Sequence, residues 1–188
     1  MSKTPIAFML AGLLAAPAFA ADTYTADVSH TYPAFEVSHL GFSMGRGRFD
    51  KTSAKISLDR TGKKGALDVS IDTASINTGW AKRDDHLRGE DFFNVAKFPA
   101  MIYKSTNFKF DGDRLVGVDG ELTLLGVTKP VSLTVTGFRC GPHPMNKKEL
   151  CGADAVASVK RSDFGMKYGL PAIGDDIRIS IGIEAFKD

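Results

Sequence analysis

Apolar and polar residues alternate along most of the chain from about residue 24 onward, with the two-residue period of a β-strand. Residues 67–71 read Leu-Asp-Val-Ser-Ile, and residues 177–183 read Ile-Arg-Ile-Ser-Ile-Gly-Ile. The same alternation recurs in residues 35–39, 55–59, 101–105, 108–110, 118–124, 131–135 and 155–159. Each of these segments is therefore predicted to be a strand with one dry face and one wet face.

Clusters of turn-forming residues separate the strands, at residues 59–65, 111–113, 125–130 and 174–176. Short connections between consecutive strands indicate antiparallel neighbours. Seven to nine strands with one apolar face each predict an all-β sandwich or a closed barrel, and closure is favoured because it leaves no exposed sheet edge. The inward residues fall on odd-numbered positions up to Ser105 and on even-numbered positions from Phe108. This change of parity predicts a β-bulge near Thr106 and Asn107.

One stretch, residues 83–99, departs from the strand pattern. Leu87, Phe92 and Phe93 are spaced so that one face of a short helix would be apolar, and Pro99 would end it. We therefore predict a short helical segment near residues 80–95. It fits either a plug or lid at the end of the sheet or an ordinary connecting helix. The charged residues expected to stay in water are Arg83, Asp84, Asp85, Arg88 and Glu90.

The first twenty residues have the features of a cleavable signal peptide. Lys3 supplies the positive charge, residues 6–16 form an apolar run too short to span a bilayer, and Ala18-Phe19-Ala20 fits a small-x-small cleavage site. We expect cleavage after Ala20 and export of a single domain of residues 21–188.

The charge balance and the cysteines narrow the function classes. Lysine and arginine total 24 against 22 acidic residues, so nothing in the balance calls for nucleic acid or an acidic membrane surface as a partner. Cys140 and Cys151 lie close together in a chain expected to reach an oxidising compartment, which predicts a disulfide. A metal site using these thiols and His143 is the weaker alternative, because two thiols alone hold zinc poorly.

Catalytic motifs are missing from the sequence pattern. The four histidines show neither of the short spacings typical of metal ligands on a helix or a hairpin. Ser29-His30 and Ser38-His39 are adjacent pairs, and neighbouring side chains on a strand point to opposite faces. We therefore predict a protein that is not an enzyme and has no metal and no catalytic cofactor.

The interior of such a barrel is either filled by side chains or hollow enough for one elongated ligand. Small residues at inward positions favour a cavity but also fit a tapered core; they are Gly41, Gly120, Ala155 and Ala157. His39 shares the inward parity of Val37 and would be a core histidine or a contact for a ligand head group. Arg161 would be inward and paired with Asp163, with a carboxylate of the helical segment or with a ligand oxygen.

Seven blocks of residues form a recognisable pattern. In order, they are Tyr24-x-x-Asp27 with His30, Phe35-x-Val37-x-His39-Leu40-Gly41, Gly47-Arg-Phe49-Asp50, Arg83-Asp-x-His86-Leu-Arg-x-x-Asp91-Phe-Phe, Phe98-Pro-x-x-x-Tyr-Lys-Ser105, Gly120-x-Leu-Thr-Leu-x-Gly126-Val-Thr-Lys-Pro130-Val and Arg161-Ser-Asp-Phe-Gly165. With these blocks the chain resembles the YceI-like family of periplasmic lipid-binding proteins over nearly all of residues 21–188. The segment between Cys140 and Cys151 departs from the plainest family pattern, and we interpret residues 141–150 as a disulfide-braced hairpin loop.

The resemblance implies an eight-stranded antiparallel lipocalin-like barrel with a helical segment beside its opening. It also implies a long-chain polyisoprenoid inside the barrel, with an isoprenoid quinone such as ubiquinone expected, held in the periplasm for storage, transport or stress protection. Dimers occur in the family, and a lipid carrier would make transient contact with a membrane. The alternative function is a filled-barrel interaction module that acts through its surface and the disulfide loop.

Parity combined with the resemblance yields a set of candidate ligand-binding residues. The apolar candidates for the cavity wall are Phe35, Val37, Val69, Ile71, Phe92, Phe93, Tyr103, Leu122, Leu124, Leu133, Val135, Ile179 and Ile181. The polar candidates for the mouth are His39, Arg83 and Arg161. Core packing without a ligand is the alternative role of each apolar residue.

Overall fold

A computed structural model describes residues 21–188, which form eleven strands and one α-helix. The strands are β1 Asp22–Ala26, β2 Tyr32–His39, β3 Ser43–Phe49, β4 Thr52–Asp59, β5 Lys64–Asp72, β6 Ile76–Asn77, β7 Ala100–Asp111, β8 Arg114–Leu124, β9 Val127–Pro142, β10 Glu149–Lys160 and β11 Ile173–Lys187. The helix α1 spans Ala81–Arg88, and short 3₁₀ turns occupy Thr73–Ser75 and Arg161–Phe164. The predicted signal peptide, residues 1–20, lies outside the described residues. None of the helices in residues 21–188 has the length and apolar character needed to span a membrane.

Eight of the strands form a closed antiparallel barrel. Neighbours around the ring follow the order β1-β4-β5-β7-β8-β9-β10-β11, and β1 pairs with β11 to close it. Tyr24 lies opposite Ile56 on one side and Lys187 on the other. The predicted bulge is present, because the β7–β8 register shifts between Lys104 and Asn107. The predicted all-β barrel is therefore confirmed.

The remaining strands extend the wall at one end. The hairpin β2–β3 pairs with β11 beyond the part of that strand that pairs with β1, and its tip turns at Leu40 and Gly41, both at positive φ. On its other side β3 pairs with β6 only at Arg48 and Phe49. The helix α1 lies beside β6.

The helix is shorter than the predicted segment. It ends at Arg88, and Gly89 follows in an extended conformation, so Phe92 and Phe93 lie in the turns after α1 and not on its face. Asp84 was expected in water but is buried, because it accepts hydrogen bonds from the backbone N–H and the hydroxyl of Thr78. The carboxylate therefore stabilises the chain entry into the helix.

The predicted disulfide joins Cys140 and Cys151, whose Cα atoms are 4.0 Å apart. The two residues are a directly opposed pair on β9 and β10, and the pairing continues beyond them to Pro142 and Glu149. Residues 141–150 were interpreted as a disulfide-braced hairpin loop, and the loop itself is shorter, since only residues 143–148 lie outside the strands. The disulfide therefore joins the two strands of a long hairpin at a point where they are still hydrogen-bonded to each other.

Replacing both cysteines with serine is expected to lower the free energy of unfolding by about 2–3 kcal/mol, because the unfolded chain gains the freedom of an open loop. Urea denaturation of the double variant and of reduced wild-type protein should give the same loss. A double variant as stable as the oxidised protein would contradict this role.

Candidate ligand cavity

A cavity of about 280 Å³ lies inside the barrel. Its lining includes Val37 and Ile173 near the β2–β3 hairpin and Leu58 and Ala185 near the disulfide end, so the lining follows the length of the barrel. Nearly all lining side chains are aliphatic or aromatic. The volume lies close to the lower end of the range of small-molecule sites, roughly 300–1,000 Å³.

Fourteen of the sixteen predicted ligand-binding residues lie on the wall of this cavity. They are Phe35, Val37, Val69, Ile71, Phe92, Phe93, Tyr103, Leu122, Leu124, Leu133, Val135, Arg161, Ile179 and Ile181. The structure brings them together from strands β2, β5, β7, β8, β9 and β11, from the turns after α1 and from the 3₁₀ turn. Their contact with a ligand stays a prediction.

His39 and Arg83 are not brought to the cavity. His39 is exposed at the end of β2, beside the hairpin turn, where the β2–β11 register is irregular and the alternation of inward and outward side chains is not maintained. Arg83 is also exposed, and its guanidinium donates to the hydroxyl and the carbonyl oxygen of Thr78 at 2.8 Å each. Arg83 therefore stabilises the start of α1 and does not face the cavity lining.

Arg161 lines the cavity and is 2% exposed, and of the partners considered for it, neither Asp163 nor a carboxylate of the helical segment binds its guanidinium. Its guanidinium donates to the carbonyl oxygens of Met166 at 3.2 Å, Ile173 at 2.9 Å and Gly174 at 2.8 Å. Burial lowers the pKa of Arg161, and the Asp175 carboxylate opposes that effect. The side chain thus holds the loop between the 3₁₀ turn and β11 against the barrel.

The inward position of Gly120 does not leave open space. A Cβ atom there would lie 2.6 Å from Cζ of Tyr103, so the tyrosine ring fills the position. The Tyr103 hydroxyl donates to the carbonyl oxygens of Val118 and Val131 at 3.2 and 2.9 Å. Gly41 lies in the hairpin turn at φ +73°, and of the predicted small positions only Ala155 is on the cavity wall.

Several lining residues were missed by the sequence analysis, among them Phe49, Met101 and Met166. Met101 has the parity of Tyr103 and was available to the same argument. Met166 lies in an irregular segment after the 3₁₀ turn, where no periodicity indicates which side chains point inward. The two methionines add flexible side chains to the wall.

An aromatic cluster connects the helical segment with the loop after the 3₁₀ turn. The rings of His86, Phe92 and Tyr168 pack edge to face, with centroids 5.1 to 5.4 Å apart. His86 also contacts the Asp91 carboxylate at 3.1 Å. Because Phe92 lines the cavity and Tyr168 is half-exposed, this cluster lies between the cavity and solvent.

A serine, a histidine and an aspartate do meet on the surface, but not as a nucleophile and base. The Ser29 hydroxyl and the Asp27 carboxylate both contact Nδ1 of His30, at 3.0 and 2.9 Å. In a catalytic triad the nucleophile and the carboxylate contact different ring nitrogens, so this arrangement does not activate the serine. Hydrogen bonds from Ser29 and His30 lower the pKa of Asp27 to about 2. Residues 21–188 hold no group of three or more potential metal ligands.

Alkaline pH is expected to destabilise the protein through its buried tyrosines. Burial and the hydrogen bond to Glu149 raise the pKa of Tyr24 to about 12, and burial also raises the pKa of Tyr103. Because the tyrosine pKa is higher in the folded protein than in the unfolded chain, the free energy of unfolding is unaffected by these groups below pH 10. It falls as the pH rises from 10 to 12, where the unfolded chain loses its tyrosine protons first. Tyr24→Phe should remove up to about 2 kcal/mol of this pH dependence in urea titrations at pH 9 and 11.5. An unchanged slope in the variant would contradict the assignment to Tyr24.

Comparison with known proteins identifies the family of this barrel. Residues 24–185 match the model of the YceI-like domain. Protein YceI of Escherichia coli O157:H7 is 37% identical over 191 residues, covering 98% of this chain and 97% of that protein. The crystal structure of Burkholderia cenocepacia BcnA superposes with a TM-score of 0.71 at 23% identity, covering 85% of this chain and 98% of BcnA. A polyisoprenoid binding domain from Saccharophagus degradans superposes with a TM-score of 0.64 at 19% identity, covering 88% and 98% of the two chains. The chain therefore belongs to the YceI-like family.

Proposed function

We propose that this protein holds a long-chain polyisoprenoid, an isoprenoid quinone such as ubiquinone, inside the barrel for storage, transport or stress protection. The observation that carries the proposal is the apolar cavity along the barrel of a YceI-like chain. The structural similarity to a polyisoprenoid binding domain supports the ligand class. The proposed role is binding without chemical turnover.

The energetics favour an isoprenoid tail as the main source of affinity. Each buried CH₂ group contributes about 0.8 kcal/mol, and the apolar wall removes from water the part of the tail that it encloses. Ordering the flexible tail offsets part of this gain. A strand of about ten residues spans roughly 33 Å, which is the reach of a tail of several isoprene units.

The cavity volume implies that the barrel adapts to a long tail. A cavity of about 280 Å³ is small for such a ligand, so side chains of the wall must move as it enters. Met101 and Met166 can change rotamer at low cost. We assign the segment of residues 80–95 as the lid, held by the cluster of His86, Phe92 and Tyr168.

The proposed location is the periplasm. The disulfide between Cys140 and Cys151 suits an oxidising compartment, and residues 1–20 would direct export and be cleaved to leave one domain. At the hairpin tip Leu40 and Phe42 are 52% and 91% exposed, beside the cavity end at Ile173. This tip would make the transient membrane contact of a lipid carrier, and a homodimer stays a prediction.

The test is mass spectrometry of an organic extract of the purified mature protein, with an ultraviolet spectrum of the same sample. A stoichiometric prenylated quinone or another polyprenyl species is expected, and its mass would define the tail length. An empty extract together with no uptake of added ubiquinone would overturn the proposal.

A further inference from the structure

Five lining side chains carry an oxygen or nitrogen donor, and four of them are already bonded to protein. The Tyr24 hydroxyl donates to Glu149 at 3.1 Å, and the Thr31 hydroxyl donates to the Glu184 carbonyl oxygen at 3.3 Å. Tyr103 and Arg161 donate to the backbone carbonyl oxygens described above. These groups hold the wall together, and their bonds are not directed to a ligand.

Thr52 is the exception. It is 4% exposed, it lines the cavity, and within residues 21–188 its Oγ1 is the one buried side-chain polar atom without a hydrogen-bond partner. A buried hydroxyl without a hydrogen-bond partner destabilises a fold, so native proteins contain few of them. Thr52 begins β4 opposite Ile71, whereas Leu58 of the same strand reaches the disulfide end. Its hydroxyl therefore lies at the end of β4 that is remote from the disulfide.

We infer that the Thr52 hydroxyl binds an uncharged oxygen of the ligand, either a quinone carbonyl or an alcohol. This inference rests on the proposed function and narrows it to neutral, oxygen-bearing isoprenoids. A phosphate head group is excluded from this position, because the guanidinium of Arg161 is directed to three carbonyl oxygens and a buried dianion would lack a counter-charge. A pure hydrocarbon would fit the wall but leave the hydroxyl unpaired.

The experiment compares four probes by isothermal titration calorimetry: a ubiquinone with a two-unit isoprenoid tail, farnesol, squalene and farnesyl phosphate. In Thr52→Val, whichever of the ubiquinone and farnesol is recognised by Thr52 should bind about 3- to 10-fold more weakly. The affinity for squalene should change less than twofold. Thr52→Ser keeps the hydroxyl and should bind like wild type. Farnesyl phosphate should bind wild type at least 10-fold more weakly than farnesol.

Unfolding measurements on the ligand-free variants give an independent readout. Thr52→Val removes an unpaired hydroxyl and should be as stable as wild type or more stable. The matched control is Thr73→Val: Thr73 is 1% exposed, lies outside the cavity lining and donates to the Phe98 carbonyl oxygen at 2.7 Å. That control should lose stability and keep its affinity for every probe.

The outcomes separate this inference from the proposed function. Loss of affinity for the quinone alone identifies a carbonyl as the recognised group, and loss for farnesol alone identifies an alcohol. Equal affinity of Thr52→Val and wild type for both probes overturns the inference, as does an equal loss for squalene. Tight binding of farnesyl phosphate to wild type also overturns it. If wild type binds no probe and retains no lipid, the proposed function fails as well.

Discussion

Arg161→Met is expected to lower the free energy of unfolding by about 3–5 kcal/mol. The substitution keeps most of the side-chain volume but removes the donors that satisfy the carbonyl oxygens of Met166, Ile173 and Gly174. Hydrogen bonds to a charged group are worth about 1.5–3 kcal/mol each, and acceptors left buried without a partner add their desolvation cost. The loop between the 3₁₀ turn and β11 should therefore lose its anchor.

Urea denaturation followed by circular dichroism measures this effect. Arg161→Lys should recover little of the loss, because an ammonium group cannot reproduce the planar fork of a guanidinium. The matched control is Arg178→Met on β11, an exposed arginine for which a change within about 0.5 kcal/mol is expected. A loss below 1 kcal/mol in Arg161→Met would show that other contacts hold the loop.

Leu122→Trp and Ile179→Trp are expected to abolish retention of an isoprenoid while preserving the barrel. Leu122 lies on β8 and Ile179 on β11, and both line the cavity. An indole at either position would occupy much of a cavity of about 280 Å³. Overpacking of this kind costs about 1–3 kcal/mol, which a disulfide-braced barrel should tolerate.

Mass spectrometry of organic extracts and calorimetric titration with ubiquinone measure the loss. The matched controls are Glu121→Trp and Ser180→Trp, at neighbouring positions whose side chains are exposed on the outer face. These controls should retain lipid like wild type. Full retention in both cavity variants would place the ligand outside the barrel.

The strands and much of the cavity wall were predictable from the sequence because both follow from alternation. Val69 and Ile71 on β5, for example, share one parity and share one face of the sheet. Parity reports the face of a residue but not its position relative to the barrel end. His39 has the parity of Val37, yet it is exposed, because it lies at the end of β2 where the β2–β11 register is irregular.

The polar contacts could not be predicted because their partners are distant or irregular. The carbonyl oxygens bound by Arg161 belong to an irregular loop and the start of β11, and no side-chain pattern marks a backbone acceptor. Gly120 faces inward as expected, but whether it leaves a void depends on the rotamer of Tyr103 on the neighbouring strand. The unpaired hydroxyl of Thr52 likewise becomes visible only when all its neighbours are placed.

The pairing of β1 with β11 has a consequence for the order in which the protein can fold. Tyr24 and Lys187 are direct neighbours although nearly the whole described chain lies between them. Contacts of such sequence separation form late, because a long loop must close before they contribute. A chain that emerges from a ribosome N-terminus first presents β1 long before β11 is made. The ring therefore stays open until synthesis is almost complete, and the hairpins between neighbouring strands can form before the barrel closes.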